Sequence, residues 1–303
     1  MLFKLNLLTV FLCLTMNRPY QFYYYVPLVT FWFLVIHLTL TSMPHITSQS
    51  VDGKPVHYLY MVIKFLVLLS IVTILYMSEV LFAKIFLTRP WKALFVTTDD
   101  SISDWWFRWK VDRYSVPAGM IFAFVYEVLK KHKVIDDSSR EASLFRSPVN
   151  NAIAFLCSLI GIAIYASFSF LCHNESECNE IHAYISFLPI VSFIVLRNIN
   201  GIVRTWHSSF FAWFGRISLE LFILQYHIWL AANTHGVLVL VPSYPVLNVL
   251  VTMFLLMCAA HEMHSLTNKL SRYAISSDWR YMTRNLLLFL LVLVPIGVKD
   301  GMF

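Results

Sequence analysis

One segment of the chain places three ionisable side chains within an apolar stretch long enough to cross a bilayer. They are Arg216, Glu220 and His227, and the stretch covers residues 210–232. At about 100° per residue, Glu220 lies about 40° around a helix from Arg216, and His227 lies about 20° from Arg216. All three therefore share one face of the predicted helix. Ionisable groups at membrane depth are costly, so they indicate a functional site.

The chemistry that this face predicts is proton transfer during attack of a hydroxyl on an acyl group. Arg216 and Glu220 are four residues apart and can pair, which lowers the cost of both charges. His227 follows about 10 Å further along the same face. Imidazole titrates near neutral pH and is the usual proton carrier in such reactions. The alternative is structural: Arg216 anchors the helix at the cytosolic surface, Glu220 pairs with it, and His227 bonds to a neighbouring helix.

A second group of charged and aromatic side chains forms a compact block. It contains Trp105, Arg108, Asp112 and Arg113. Arginine suits bidentate recognition of a carboxylate or phosphate, and a tryptophan face suits a sugar ring or an acyl carrier. We therefore predict that the block binds substrate at the lumenal surface. An interfacial helix with an aromatic belt and charge pairs four residues apart would contain the same residues.

Three further residues are weaker substrate-binding candidates. Arg197 and Asn198 lie late in an apolar segment that we expect Pro189 to break. They either line a polar cavity or extend to the cytosolic surface. His235 follows the segment that contains His227, and either joins it at a lumenal opening or is solvated.

The composition indicates which elements position these residues. Of 303 residues, 58% are hydrophobic and 13% are charged, with a mean hydropathy of +0.67. A soluble domain carries about 25% charged residues, so this much apolar surface must face lipid. The net charge of +6 is scattered through loops, as membrane insertion favours, and does not indicate nucleic acid. His261 and His264 lack further ligands, which is poor zinc geometry, and we predict no metal.

Apolar runs of about 20 residues predict membrane-spanning helices. We expect an all-α, polytopic transmembrane bundle that forms a single domain over residues 1–303. It has eight spans, or nine if residues 2–16 also cross. Residues 79–95 are amphipathic and are expected to lie along the interface. The predicted spans are 22–41, 58–78, 114–129, 149–171, 184–203, 210–232, 245–262 and 285–298.

Two signals give the same orientation in the membrane. Asn174 begins a glycosylation sequon, and Cys172 and Cys178 flank it. Glycosylation and a disulfide at this loop both require a lumenal, oxidising compartment. Lysine and arginine residues concentrate on the other side of the predicted span 149–171, as they do in cytosolic loops. We therefore predict that Asn174 faces the lumen of the secretory pathway.

Several aromatic-rich blocks resemble the sialic-acid 9-O-acetyltransferase family. The longest is FAWFGRISLELFILQYHIWLA at 211–231, which contains all three ionisable residues described first. The plant reduced-wall-acetylation proteins and the fungal capsule O-acetylation proteins are similar to it more distantly. Further blocks in the same order are NRPYQFYY at 17–24, WWFRWKVDRY at 105–114, VLRN at 195–198 and THGV at 234–237.

The resemblance implies acetyl transfer from acetyl-CoA to the glycerol side chain of sialic acid in the Golgi membrane, with the CMP-activated sugar as favoured acceptor. It supports His227 as general base or proton relay, Glu220 as its orienter, and Arg216 as charge partner or anion contact. Arg108 and Arg113 would bind the anionic donor or acceptor. Members of the family also carry a lumenal serine-hydrolase-like domain, whose Gly-Asp-Ser block has no match here. We expect this chain to be the membrane half of a longer protein, or to act with a partner that supplies that domain.

Two functions from other classes stay open at this point. A transporter of acetyl-CoA or a nucleotide sugar would also place charges along a pathway through the membrane. Internal symmetry would favour that class, and we find no obvious repeat in the sequence. A non-catalytic scaffold would use the polar face to contact a partner subunit within the lipid bilayer.

Overall fold

A computed structural model of the chain describes residues 2–16, 23–46, 56–87, 103–135, 143–230, 236–275 and 278–299. Within these ranges it contains thirteen helices and one isolated antiparallel bridge between Ile135 and Phe145, and no strand. The all-α prediction is therefore confirmed. In chain order, α1 to α13 are Leu2–Met16, Tyr25–Thr41, Val56–Met77, Glu79–Leu87, Ser103–Val111, Ser115–Lys131, Pro148–Leu171, Glu175–Ile185, Phe187–Asn198, Gly201–Thr205, Ser209–Ile228, Pro245–Ala274 and Trp279–Lys299.

Several of these helices have the length and composition of membrane spans. Among the described residues, α3, α7 and α12 are each long and apolar enough to cross a bilayer. Helices α8 and α9 together meet the same condition, but they are bent by 42° relative to each other. Helices α1 and α2 are apolar and shorter. The multi-pass architecture follows from these helices, and the count of eight or nine spans stays a prediction.

Several predicted boundaries differ from the structure, and two of the differences have a clear physical reason. The break expected at Pro189 lies earlier, at Ser186 between α8 and α9. Pro189 occupies the first turn of α9, where the missing N–H has no partner in any helix and costs nothing. The span predicted to end at residue 262 continues as α12 to Ala274. Its polar C-terminal part stays helical because its side chains bond to a neighbouring helix, as described below.

The chain divides into two compact units. The described residues within Met1–Thr30 and Ser208–Phe303 form the first unit, and those within Phe31–Thr88 and Ser101–His207 form the second. Each unit therefore combines segments that are distant in sequence. Residues 89–100 lie outside the described ranges, as does the end of the amphipathic segment predicted at 79–95.

The core of the first unit is formed by α1, the start of α2, α11 and α12. It includes Leu5 and Leu8 of α1, Ile217 and Ile223 of α11, and Ala260 of α12, all buried. Apolar contact alone drives little association in lipid, because lipid tails are as apolar as leucine. Close packing and hydrogen bonds between helices must therefore supply the specificity of this unit.

The second unit has an aromatic core. Trp109 of α5 is fully buried, and its ring lies between 5.3 and 5.6 Å from the rings of Phe31, Phe82 and Phe86. Helices α7 and α9 approach closely elsewhere in this unit, where Gly161 faces the buried side chain of Ser192. A methyl group on Gly161 would contact the Ser192 hydroxyl. Small side chains thus set the distance between these two helices.

The predicted disulfide is present in the second unit. Cys172 and Cys178 are joined, with their Cα atoms 5.8 Å apart. Asn174 lies exposed between them and precedes the first residue of α8. The sequon therefore lies on an accessible turn, and the Cys172–Cys178 disulfide closes that turn.

Candidate functional site

The most buried ionisable side chain in the described residues of the first unit is Glu220. It lies in the middle of α11 and is 1% exposed. Its Oε1 accepts a hydrogen bond from Thr267 Oγ1 at 3.1 Å and lies 3.2 Å from His264 Nδ1. Both partners belong to α12, so this carboxylate joins the two helices. When Glu220 is ionised it can only accept hydrogen bonds, and Nδ1 of His264 is then the donor.

In this arrangement, two atoms are available to exchange a proton: Nε2 of His264 and Oε2 of Glu220. When Nδ1 of His264 bonds to Glu220, the Nε2 atom of the same ring is the available base. The His264 side chain is 26% exposed, so the ring is only partly covered. The second carboxylate oxygen, Oε2 of Glu220, is buried and has no hydrogen-bond partner among the described residues. A buried acceptor of this kind is costly unless it meets a proton or a hydroxyl.

The predicted pair between Arg216 and Glu220 does not form. Arg216 is exposed, and no ion pair links it to Glu220 within the described part of the chain. The helical spacing was correct, but Glu220 points towards α12, where its Oε1 is bonded to Thr267 and His264. An exposed guanidinium is solvated by water or lipid headgroups and gains little from a partner that is already bonded. The interpretation of Arg216 as the charge partner of Glu220 was therefore wrong.

His227 forms a separate pair. Its Nε2 shares a hydrogen bond with the hydroxyl of Tyr23, which precedes α2 and is buried. The two rings lie 5.8 Å apart, and Tyr226 packs edge-on against Tyr23 at 6.3 Å. Glu220 and His227 are seven residues apart, which is about 10 Å along the helix axis. The prediction that Glu220 orients His227 is thus replaced by two pairs at different depths.

Helix α1 is hydrogen-bonded to α12 next to the pair formed by Glu220 and His264. Lys4 donates a hydrogen bond to Asn268 Oδ1, and Asn268 directly follows Thr267. Asn6 of α1 also donates to Thr30 Oγ1 of α2 at 3.1 Å. Helix α1 is therefore joined by polar contacts to α12 next to Thr267 and to α2.

The aromatic block of α5 lies in the second unit. Trp105 is 3% exposed and stacks on Trp109, with ring centroids 5.7 Å apart and planes 15° from parallel. The stacking surface that we predicted for a sugar is therefore covered by protein. Arg108 and Asp112 are exposed, and Arg113 is buried. The block thus separates into an aromatic core face and an exposed charged face.

The weaker candidates contact their own backbone. Arg197 donates to the carbonyl oxygen of Trp206, and Asn198 Nδ2 donates to the carbonyl oxygen of Ile194 at 2.8 Å. These bonds cap and brace the end of α9, which favours a structural role. His235 lies outside the described residues.

Comparison with known proteins decides the family. Residues 1–287 match the family described as the 10 TM acyl transferase domain found in Cas1p. The chain belongs to this acyltransferase family. It is also 46% identical over 302 residues to the N-acetylneuraminate (7)9-O-acetyltransferase of Danio rerio. That match covers 99% of this chain and 38% of the relative, so the chain spans about two-fifths of the length of the protein it matches. No solved structure matches.

The family resemblance found in the sequence is thereby confirmed, whereas its ten spans exceed the eight or nine that we predicted. Sequence reasoning missed three members of the site in this acyltransferase domain. Tyr23 stood in a quoted block without a role, and Thr267 was not considered. His264 was weighed only as a zinc ligand. Its signal was present, because a histidine near the end of a membrane-length helix is itself a functional candidate.

Proposed function

We propose that this chain is the membrane domain of an O-acetyltransferase of the Golgi membrane. It would move the acetyl group of acetyl-CoA to a hydroxyl of sialic acid, either CMP-activated or in a related glycan. The observation that carries this proposal is the 46% identity to a sialic-acid O-acetyltransferase over 99% of the chain. The matched region includes α11 and α12, the two helices that hold Glu220 and His264.

The donor would bind beside the N-terminal half of α11, where Arg216 lies. Arg216 is exposed and stands four residues, about 6 Å along the axis, before Glu220. The phosphates of CoA are anions that arginine recognises well. By the positive-inside argument this end of α11 is cytosolic, where acetyl-CoA is available. Arg216 then acts as an anion contact, which was the second of its two predicted roles.

We propose that His264 is the acid–base residue, oriented by Glu220. Its Nε2 would take the proton from the acceptor hydroxyl as the oxygen bonds to the acetyl carbonyl carbon. The same proton would pass to the CoA sulfur as the carbon–sulfur bond breaks. The products are the acetyl ester and CoA, so atoms and protons balance. A carboxylate hydrogen-bonded to Nδ1 holds the ring in the tautomer that this step requires.

His227 and Tyr23 would form a proton relay closer to the lumenal end. The Tyr23 hydroxyl and the imidazole share a hydrogen bond, and such pairs pass protons or position a polar group of the acceptor. Exposed Arg108 would contact the anionic acceptor, with Asp112 beside it. The proposal also places Asn174 on the lumenal side and includes eight or nine membrane spans. It further includes a serine-hydrolase-like domain, supplied by the same chain or by a partner.

Substitution of His264 tests the proposal. In cells devoid of other 9-O-acetylation activity, we expect the full-length protein with His264→Ala to lose about 10²- to 10⁴-fold in 9-O-acetyl sialic acid formation. His261→Ala is the matched control, because His261 is exposed on the same helix three residues away. Wild-type acetylation by the His264 variant at equal protein level would refute its acid–base role. Uptake of acetyl-CoA into proteoliposomes without formation of an acetyl ester would instead identify a transporter.

A further inference from the structure

Arg113 is a buried cation whose described contacts are all neutral. It is 7% exposed and directly precedes Tyr114, after which α6 begins. Its Nη1 donates to the carbonyl oxygen of Lys110 at 2.9 Å. Its guanidinium carbon lies 4.9 Å from the ring of Tyr114 and 5.1 Å from that of Tyr184. Two aromatic rings thus hold this charge in place.

Neither the neighbouring carboxylate in the chain, Asp112, nor Glu180 forms an ion pair with Arg113 in the described part of the chain. Asp112 is exposed, and Glu180 pairs with Lys110 at 3.5 Å. No ion pair of Arg113 is present among the residues that the structure describes. Aromatic rings offset only part of the cost of burying a guanidinium, and an anion supplies the rest. An anion that does not belong to the described residues would therefore stabilise Arg113 at this position.

The same two tyrosines form one end of a cavity in the second unit. The cavity has a volume of about 480 Å³ and lies between α3, α6 and α9. Its other walls are aliphatic or aromatic, among them Leu69, Ile121 and Val125. On α6 the lining runs from Ala118 to Val125, which is about 10 Å along the axis. Because α3 is a membrane-length helix, this apolar cavity lies at membrane depth.

We propose that Arg113 and this cavity bind one anionic phospholipid, with an acyl chain in the cavity and the phosphate at the guanidinium. The site has the polarity of such a lipid, with a cation at one end, tyrosines at the boundary and hydrocarbon walls beyond. Tyrosine is enriched at the depth of lipid headgroups, which places Arg113 level with the phosphates. Arginine forms paired hydrogen bonds to phosphate oxygens.

A soluble anion fits the cavity less well. The anionic sugar acceptor and CoA carry many hydroxyl or amide groups, and these need hydrogen-bond partners once they are buried. The described lining offers them only the hydroxyls of Tyr114 and Tyr184. The Tyr114 hydroxyl is already bonded to Thr73 at 2.9 Å. An acyl chain needs no polar partner, so a lipid leaves no buried group unsatisfied.

Lipid binding to the purified, delipidated full-length protein tests this inference. Native mass spectrometry would count bound dioleoyl-phosphatidylserine against dioleoyl-phosphatidylcholine. We expect Arg113→Gln to weaken phosphatidylserine retention about tenfold or more, because it removes the cation that offsets the net negative charge of this lipid, a charge that phosphatidylcholine lacks. Arg108→Gln is the matched control, since Arg108 is an exposed arginine of the same block. It should retain phosphatidylserine like the wild type.

A second variant tests the cavity itself. Val125→Trp fills the end away from Arg113 and should reduce retention of both lipids, whereas Leu159→Trp on the exposed face of α7 should not. Equal phosphatidylserine binding by wild type and Arg113→Gln would overturn the proposal. Loss of bound lipid on addition of inorganic phosphate or CoA alone would show a soluble-anion site instead. These readouts need no acetyl transfer, so they are independent of the proposed function.

Discussion

Replacing Glu220 with glutamine separates the charge of this side chain from its hydrogen bonds. Glutamine has nearly the same shape and can still accept from His264 and Thr267 through its amide oxygen. The substitution therefore keeps the link between α11 and α12 and removes only the negative charge. Glu220→Ala is the contrasting change, because it removes the acceptor as well.

The two variants should differ in stability. For Glu220→Gln we expect a change of unfolding free energy within about 1 kcal/mol, because the bonds persist and a buried charge is removed. For Glu220→Ala we expect a loss of about 2–4 kcal/mol. The Thr267 hydroxyl, in a side chain only 3% exposed, loses its carboxylate acceptor, and a cavity remains beside it. Thermal unfolding in detergent measures both.

Both substitutions of Glu220 should lower the acetyl-transfer activity. A carboxylate stabilises the imidazolium that forms when His264 holds the proton, and a neutral amide does not. We expect Glu220→Gln to lower acetyl transfer about 10²-fold or more, although it unfolds like the wild type. In the double variant with His264→Ala, the loss should equal that of His264→Ala alone, because the carboxylate acts only through the imidazole.

The assay is the formation of 9-O-acetyl sialic acid by membranes that contain equal amounts of each variant. If the losses from Glu220→Gln and His264→Ala multiply in the double variant, the two residues act independently and the pair is not a catalytic unit. If Glu220→Gln retains full activity, the charge has no part in the reaction, and the carboxylate serves only to join the helices.

Two further predictions concern packing and topology. Gly161→Leu should lower the unfolding free energy by about 1–3 kcal/mol, because the new side chain enters the contact with Ser192; Gly119→Leu, in a helix position with open space around it, should be tolerated in the same thermal unfolding assay. Asn174 should carry an N-glycan, so that glycosidase increases the gel mobility of the wild type and leaves Asn174→Gln unchanged. An unshifted wild type would contradict the lumenal placement of the disulfide loop.

Local spacing predicted which residues share a face but not which helix that face meets. The predicted span 149–171 agrees with α7 within one residue, since a continuous apolar run defines its own ends. The partners of Glu220 and His227 are 44 and 204 residues away in sequence. The spacing of residues within a single helix cannot indicate partners that are so distant in sequence. His264 was also lost because the predicted span ended at residue 262, which placed the histidine outside the membrane.

The block around Trp105 shows how one helix can combine two functions in a single pattern. Trp105 and Trp109 are four residues apart on the face that packs into the aromatic core. Arg108 and Asp112 have the same spacing on the exposed face. The sequence therefore indicated an amphipathic helix, but aromatic side chains suit a protein core and a sugar equally well. Only the positions of Phe82 and Phe86 from another helix distinguish the two.

The observed partner of Glu220 changes what the carboxylate can do. An arginine stays protonated under all physiological conditions, so an Arg216–Glu220 pair would have been a fixed charge pair suited to anchoring a helix. A histidine partner can gain and lose its proton, so the Glu220–His264 pair can change its net charge within the bundle. Acyl transfer between a thioester and a hydroxyl needs a group that does this once per turnover. The correction to the predicted pairing therefore strengthens the case for chemistry at this face of α11, and moves its centre from His227 towards α12.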